Sequence, residues 1–454
     1  MASYEELRTK HRAETKTLLP EYVERLSWSA DRLHQEREEK LRLLIRRAKE
    51  QSPWHKKRLA HINPETMQEA DLEHIPPMTK GDLMDNWDEI VTDRDLNLDL
   101  VNSHLESLTT DQYLLNEYHA VASGGSTGLR GVFVYDWTGW KVKFVGQARW
   151  HSGLRTAVQK STEKPYVRAT VFAGSATHLS SATGQSLTSG LVSLHRFPIT
   201  LPLEQIVEGL NRVQPDDLAG YPSALYLLAH EAQVGRLRIA PSYVGTGAEP
   251  LLPEIRAALE KAWGVPVRNM WSCSEGAGAA SCEEGQGMHL NDDLVIVEPV
   301  DVAGQLVPPG VASAKIYLTN LYNHALPLIR YELTDEVTLL EGPCPCGSSY
   351  RRIDDVQGRL DDVFTYACGT RIHPHVFRSA LGRESTILEY QVRQTTGGAA
   401  ISIRCSGAVD RASLRAKITA EMEGLGLAAP AVSIVQVDRF ERLDTGKLKR
   451  FIVL

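Results

Sequence analysis

Ser123-Gly124-Gly125-Ser126-Thr127-Gly128 lies between a polar stretch and the strand-like run Gly131-Val132-Phe133-Val134-Tyr135. Its three glycines permit positive φ and let backbone N–H groups approach an anion closely. Its three hydroxyls add donors for phosphate oxygens. It lacks the Gly-Lys-Ser/Thr of a Walker loop and the spacing of a dinucleotide fingerprint. Alone, a Ser/Gly hexapeptide is more often an ordinary turn. What surrounds it gives it meaning.

Downstream, strands and helices alternate. Tyr166 to Phe172 reads as a strand, Leu203 to Val213 and Pro253 to Trp263 as helices, and Val265-Pro266-Val267 and Lys315 to Thr319 as strands. Such alternation predicts a layered α/β architecture. Upstream, the first ~50 residues read as helical and charged. Leu41, Leu44, Ile45 and Ala48 form an apolar stripe at i, i+3, i+4 and i+7, and that helix stops before Ser52-Pro53. Thr79 is placed to cap a helix starting near Lys80. A second unit starts near Gly358, with strand candidates Ile387–Val392, Ala400–Arg404 and Val432–Val437 and a helix over Arg411–Glu423. The expected organisation is a large multi-subdomain α/β domain, residues 1–357 with a helical leader over about 1–52, followed by a small α+β lid, 358–454.

The chain has 454 residues, 42% apolar and 24% charged, with a net charge of −7. That balance excludes disorder and disfavours bulk attraction to nucleic acid or an anionic membrane. No apolar run approaches the ~20 residues of a membrane span, and the amino end carries no apolar signal core. Six cysteines in this length are too sparse for a disulfide scaffold, so the expected location is a reducing cytoplasm. Oligomeric state is not addressed by any of these patterns.

The hexapeptide is followed, in order, by Gly247-Ala248-Glu249-Pro250, Trp271-Ser272-Cys273-Ser274-Glu275, Arg330-Tyr331-Glu332-Leu333-Thr334-Asp335, Gly358-Arg359-Leu360-Asp361-Asp362 and Thr445-Gly446-Lys447. This series resembles the core motifs of the adenylate-forming superfamily of acyl-CoA synthetases, luciferases and peptide-synthetase adenylation domains. The leading helix, the segment Ile75-Pro76-Pro77-Met78-Thr79-Lys80-Gly81-Asp82-Leu83 and the stretch Cys344-Pro345-Cys346-Gly347 are similar to the phenylacetate–CoA ligase branch. The resemblance runs from about residue 35 to the end. It implies ATP-dependent activation of a carboxylic acid to an acyl-adenylate, then transfer to a thiol. Donors and cations must then stand ready where negative charge grows on the phosphates.

The resemblance also implies roles for residues. Ser123, Gly124, Gly125, Ser126, Thr127 and Gly128 would close over the β- and γ-phosphates. Ser274 would contact the α-phosphate, and Glu275 would hold Mg²⁺, a hard ion suited to carboxylate oxygen. Gly247, Ala248, Glu249, Pro250 and Trp271 would wall the adenine. Asp335 would accept from the ribose hydroxyls, with Arg359 nearby. Lys447 would bridge the forming acyl-phosphate bond, and Asp361 would be the hinge on which the lid turns. Phe172, Tyr221 and Gly276 are candidates for the acid pocket. The family's phosphate loop usually ends in Gly-Lys, whereas Leu129 follows Gly128 here. Either Arg130 supplies the charge or the loop relies on backbone donors.

Cys282, His289, Cys344 and Cys346 offer three thiolates and one imidazole, a set that suits a tetrahedral structural zinc. Cys273, Cys368 and Cys405 read as packing residues. The expected activity is that of an acid–thiol ligase, AMP-forming, acting on a small aromatic carboxylic acid with CoA as acceptor. A carrier-protein thiol, an amine or another nucleophile is the alternative acceptor, and a non-catalytic nucleotide-binding protein is the third reading.

Overall fold

The computed structural model describes residues 3–123, 130–151, 166–174, 177, 179, 182, 192–284, 286–356, 358, 362–382, 384, 386–442 and 447–454. The chain is mixed α/β. Its centre is an eight-stranded sheet ordered Arg352–Ile353, Met288–Leu290, Gly278–Ser281, Val267–Ser272, Tyr243–Gly247, Asp217–Gly220, Tyr166–Val171, Val192–Arg196. The last five run parallel, and the first three are antiparallel to their neighbours. Helices Leu203–Val213, Pro222–Gln233 and Pro253–Trp263 connect the parallel strands. Each is amphipathic or begins with a proline whose fixed φ suits a first turn. They bury Leu210, Leu225, Leu228, Ile255 and Leu259 against the sheet.

A hairpin, His119–Ala122 with Val132–Tyr135, flanks this layer in register His119↔Tyr135, and Ser123 directly follows its first strand. A three-stranded antiparallel sheet, Val295–Val300, Lys315–Asn320 and Tyr331–Leu333, packs nearby. The main core joins the hairpin, the strands after Gly278 and this smaller sheet.

The helical leader is two helices rather than one, Tyr4–Glu24 and Ala30–Gln51. The break follows a short turn over Arg25–Ser27, and Ser29 caps the second helix by accepting from the Arg32 amide. The second helix ends at Ser52, and Thr79 caps Lys80–Asp85 with Asp82 closing a capping box. Arg330, quoted above within a motif, is an anchor. Its guanidinium donates to the carbonyls of Glu73 and Ile75 and pairs with Glu298, holding the 73–78 segment beside strand Tyr331–Leu333.

Near the carboxyl end, strands Ala431–Gln436, Gly398–Cys405, Ile387–Thr395 and Phe451–Ile452 form a separate four-stranded sheet around its own core. Phe451–Ile452 pairs in parallel with Val392–Arg393, fixing the chain just after Lys447. No helix among the described residues is long and apolar enough to cross a membrane.

Candidate active site

Four parallel strands end at one cavity of about 1100 Å³. Tyr166–Val171 leads to Phe172, Asp217–Gly220 to Tyr221, Tyr243–Gly247 to Ala248, Glu249 and Pro250, and Val267–Ser272 to Cys273, Ser274 and Glu275. The carboxyl edge of a parallel sheet is where open α/β folds place their ligands. Ser123 reaches the cavity from the hairpin, Asp335 from just beyond Tyr331–Leu333, and Gly358 and Lys447 from the carboxyl-terminal part. Trp271 also forms part of the wall. Residues far apart in sequence therefore share one concavity.

Local chemistry explains each placement. Ala248 holds φ +64°, a left-handed conformation that a non-glycine residue adopts only when its surroundings enforce it. Glu249 enforces part of this, because its carboxylate accepts from the Ser223 amide in the first turn of Pro222–Gln233. The Ser123 hydroxyl accepts from the Gly131 amide at 2.8 Å, closing the base of the hairpin turn. Tyr135 donates to the Ser274 carbonyl at 2.5 Å, and Asn320 donates to the Glu275 carbonyl at 2.9 Å. The Glu275 side chain is 5% exposed and makes no hydrogen bond or ion pair with the described residues. A carboxylate so placed on a cavity is a ready ligand for a hard cation.

Gly276 is placed behind the wall rather than on it. At φ +115° a Cβ would stand 1.9 Å from the Asn320 amide nitrogen, so glycine is required here by backbone and packing. Tyr221 is buried and meets Phe172 edge to face at 5.1 Å. The Lys447 ammonium lies 5.8 Å from the Tyr221 ring centre, within cation–π range. Arg130 is exposed and stands beside Met84, Asp99 and Asn102 in a separate shallow pocket. Gly124, Gly125, Ser126, Thr127, Gly128, Leu129, His178, Arg359, Asp361, Thr445 and Gly446 lie outside the described residues.

Lys143 and His151, to which the sequence assigns no role, also line the cavity. Lys143, on helix Trp137–Ala148, is 5% exposed and donates to the Cys273 carbonyl at 2.8 Å. Burial pulls its ammonium down to about 8, against the opposing pull of Cys273 and Glu275. His151 is buried, bonded to Asp217 at 2.9 Å and stacked on Tyr243 at 3.8 Å. A lysine on a helix reads as solvated surface and a lone histidine carries no signal, so only the tertiary placement reveals these two. Burial and the adjoining Glu275 push the Cys273 thiol up, so it stays protonated. Cys368, read as a packing residue, is exposed in a turn. The Gly369 that follows allows that turn at φ +86°.

A second cluster joins three thiols and an imidazole. Cys282, His289, Cys344 and Cys346 present ligand atoms all within 4.8 Å of one another. Cys282 Sγ and Cys344 Sγ are 3.4 Å apart, as are Cys346 Sγ and His289 Nε2. That sulfur separation exceeds the ~2.05 Å of a disulfide and approaches the ~3.8 Å edge of a tetrahedron with Zn–S bonds of ~2.3 Å. His289 Nδ1 is 2.9 Å from the Tyr350 carbonyl, which orients the ring and turns Nε2 toward the sulfurs. Trp150 stacks on the same ring at 5.0 Å.

No family model matches the chain. A phenylacetate-coenzyme A ligase of Thermus thermophilus is 28% identical over 260 residues, 53% of this chain and 56% of that one. The match thus spans just over half that relative's length. A phenylacetate-coenzyme A ligase of Aromatoleum evansii is 26% identical over 74% of this chain and 72% of its own. Among solved structures, 2-hydroxyisobutyryl-CoA ligase in the postadenylation state, in complex with 2-HIB-AMP, superposes with a TM-score of 0.73 at 21% identity. The superposition covers 95% of this chain and 91% of that one. The chain has the fold of the adenylate-forming CoA ligases, and its curated relatives include phenylacetate-coenzyme A ligases.

Proposed function

We propose that the chain is an AMP-forming acid–thiol ligase: it activates a small carboxylic acid with ATP and passes the acyl group to CoA. The observation that carries this reading is convergence. Ser123, Ser274, Glu275, Asp335 and Lys447, from separate motifs, line one cavity. In this reading Ser123 and Ser274 donate to phosphate oxygens, and Asp335 accepts from the ribose hydroxyls. Trp271 and the Gly247–Pro250 turn flank the adenine. Glu275 would hold Mg²⁺, whose charge offsets that of the phosphates. Lys447 places a movable cation where the acid's oxygen meets the α-phosphorus. Phe172 and Tyr221 give the acid an aromatic wall.

Gly124 to Gly128 would close over the outer phosphates, Arg359 would stand near the ribose, and Asp361 would be the lid's hinge. The division into a large domain over 1–357 and a lid over 358–454 belongs to the same proposal. We assign zinc to Cys282, His289, Cys344 and Cys346 as a structural ion, since four protein ligands leave no open position. A reducing cytoplasm belongs to the same reading, because six cysteines in 454 residues are too sparse for a disulfide scaffold.

The test is an acid-panel assay of pyrophosphate release, with products analysed with and without CoA. Acid-dependent pyrophosphate release and a CoA thioester support the reading. Release without a thioester would redirect the acceptor to a carrier-protein thiol or an amine. Absence of release with every acid would remove the activation step.

A further inference from the structure

Charge is divided unevenly along the cavity. Every carboxylate among its described lining residues, Glu249, Glu275, Glu332, Asp335 and Asp362, falls in a motif quoted above for the nucleotide. Helix Tyr4–Glu24 and strands Tyr166–Val171 and Val192–Arg196 bring Arg12, Lys16, Arg168 and Arg196 to the same cavity and, among the described residues, no carboxylate. Strands of a covered parallel sheet are ordinarily apolar, so cations on this face call for an explanation.

The register shows where they stand. Arg168, Thr170 and Phe172 follow the two-residue period of a strand and all line the cavity. At ~3.3 Å per residue, Arg168 is about 13 Å along the chain from Phe172. Arg168 is the partner of Asp217 and Leu194 in the sheet, and Thr170 is the partner of Arg196. The Arg168 side chain is 21% exposed, and its Nη1 lies 3.3 Å from the Asp217 carboxylate. Asp217 is fully buried and shared with His151. It therefore holds the guanidinium from the protein side, while the exposed part of a fork with five donors faces the cavity. At the other end of the row, Phe172 meets Tyr221, and Tyr221 meets Lys447.

We propose that Arg168 and Arg196 bind a second anionic group on the acid, so that the substrate is a dicarboxylic acid. Its reacting carboxylate lies beside Lys447, its body runs past Phe172 and Thr170, and its far carboxylate meets the Arg168 fork, a geometry that suits paired N–H donors. The inference rests on the acid-activating reading above and narrows its substrate class. The other source of such an anion is a phosphate of the acceptor, which the experiment separates.

Matched acids are compared: terephthalate with para-toluate, 4-carboxyphenylacetate with 4-methylphenylacetate, and adipate with hexanoate. Pyrophosphate release without any thiol is measured as kcat/KM for the native chain and for Arg168→Met and Arg196→Met. In at least one pair the native chain is expected to favour the diacid by about 10²-fold or more, as for other sites built to bond a polar substrate group. The variants should pull that ratio toward one. A ratio within a pair is independent of how much of a variant is folded. A monoacid used as well as its diacid in every pair, or a ratio unchanged in both variants, overturns the proposal. An unchanged ratio with a raised KM for CoA in Arg168→Met also overturns it, and assigns the cations to the acceptor's phosphates. Silence with every acid would instead overturn the activating reading, and this inference with it.

Discussion

The ammonium of Lys447 stands 5.8 Å from the centre of the Tyr221 ring, so a residue near the carboxyl end touches the residue that begins helix Pro222–Gln233. In this arrangement a cation from the small sheet's end of the chain reaches the cavity wall at Tyr221. Lys447→Ala is expected to lower the adenylation rate ~10²–10³-fold, as for other lost charge-stabilising donors. Thioester formation from preformed acyl-adenylate should suffer less. Single-turnover kinetics of each half-reaction checks this, and equal losses in both would detach Lys447 from the first step.

Gly276 carries a sharper local demand. Its φ of +115° and the Asn320 amide 1.9 Å from an added Cβ leave no space for a side chain. Because Asn320 also holds the Glu275 carbonyl, Gly276→Ala should shift Glu275 and weaken Mg²⁺ use more than acid binding. The backbone cost is about 1–3 kcal/mol. The expected signature is a raised Mg²⁺ requirement in pyrophosphate release with the acid's KM little changed. An unchanged Mg²⁺ titration would contradict it.

Acid should weaken the fold through its buried imidazoles. Burial holds His55 at about 3, with Arg58 adding to the depression, and His11 and His324 at about 4. The unfolded chain takes these protons near 6.5. Between that value and about 3 the unfolded state therefore binds more protons, and stability falls as pH drops through the window. It is fully present above ~6.5. One such group contributes a slope of up to about 1.4 kcal/mol per pH unit. His55→Gln should flatten the slope of urea-unfolding free energy against pH by about that much. An unaltered slope would show that His55 does not titrate on unfolding.

The thiol cluster makes a stoichiometric prediction. Elemental analysis should find one zinc for each Cys282, His289, Cys344 and Cys346 set. Cys344→Ser should lose the ion and lower the melting temperature while leaving the nucleotide residues intact. Metal-free native protein with an unchanged melting temperature would contradict the assignment.

The legible parts of the fold were those with local chemistry. Leu203–Val213 and Pro253–Trp263 were readable to the residue because an apolar stripe, a proline start and a terminal turn agree. The strand expected at Val265–Val267 instead spans Val267–Ser272. Pro266 has no N–H for a ladder and sits before the strand rather than in it. The motifs that meet at the cavity stood out in the sequence because they are short runs of glycine, hydroxyl and acid residues. The wall that helix Trp137–Ala148 adds to the cavity did not, because it is a helix face. Lys143 and Gln147 sit on a helix rich in tryptophan and valine, and only the fold reveals that this face meets a cavity.

Exchange of labelled pyrophosphate into ATP, measured without any thiol, isolates acid activation, because it requires a reversible acyl-adenylate. Exchange is expected to depend on a carboxylic acid and Mg²⁺ and to be lost in Glu275→Gln. No exchange with any acid, while the chain stays folded, would contradict it.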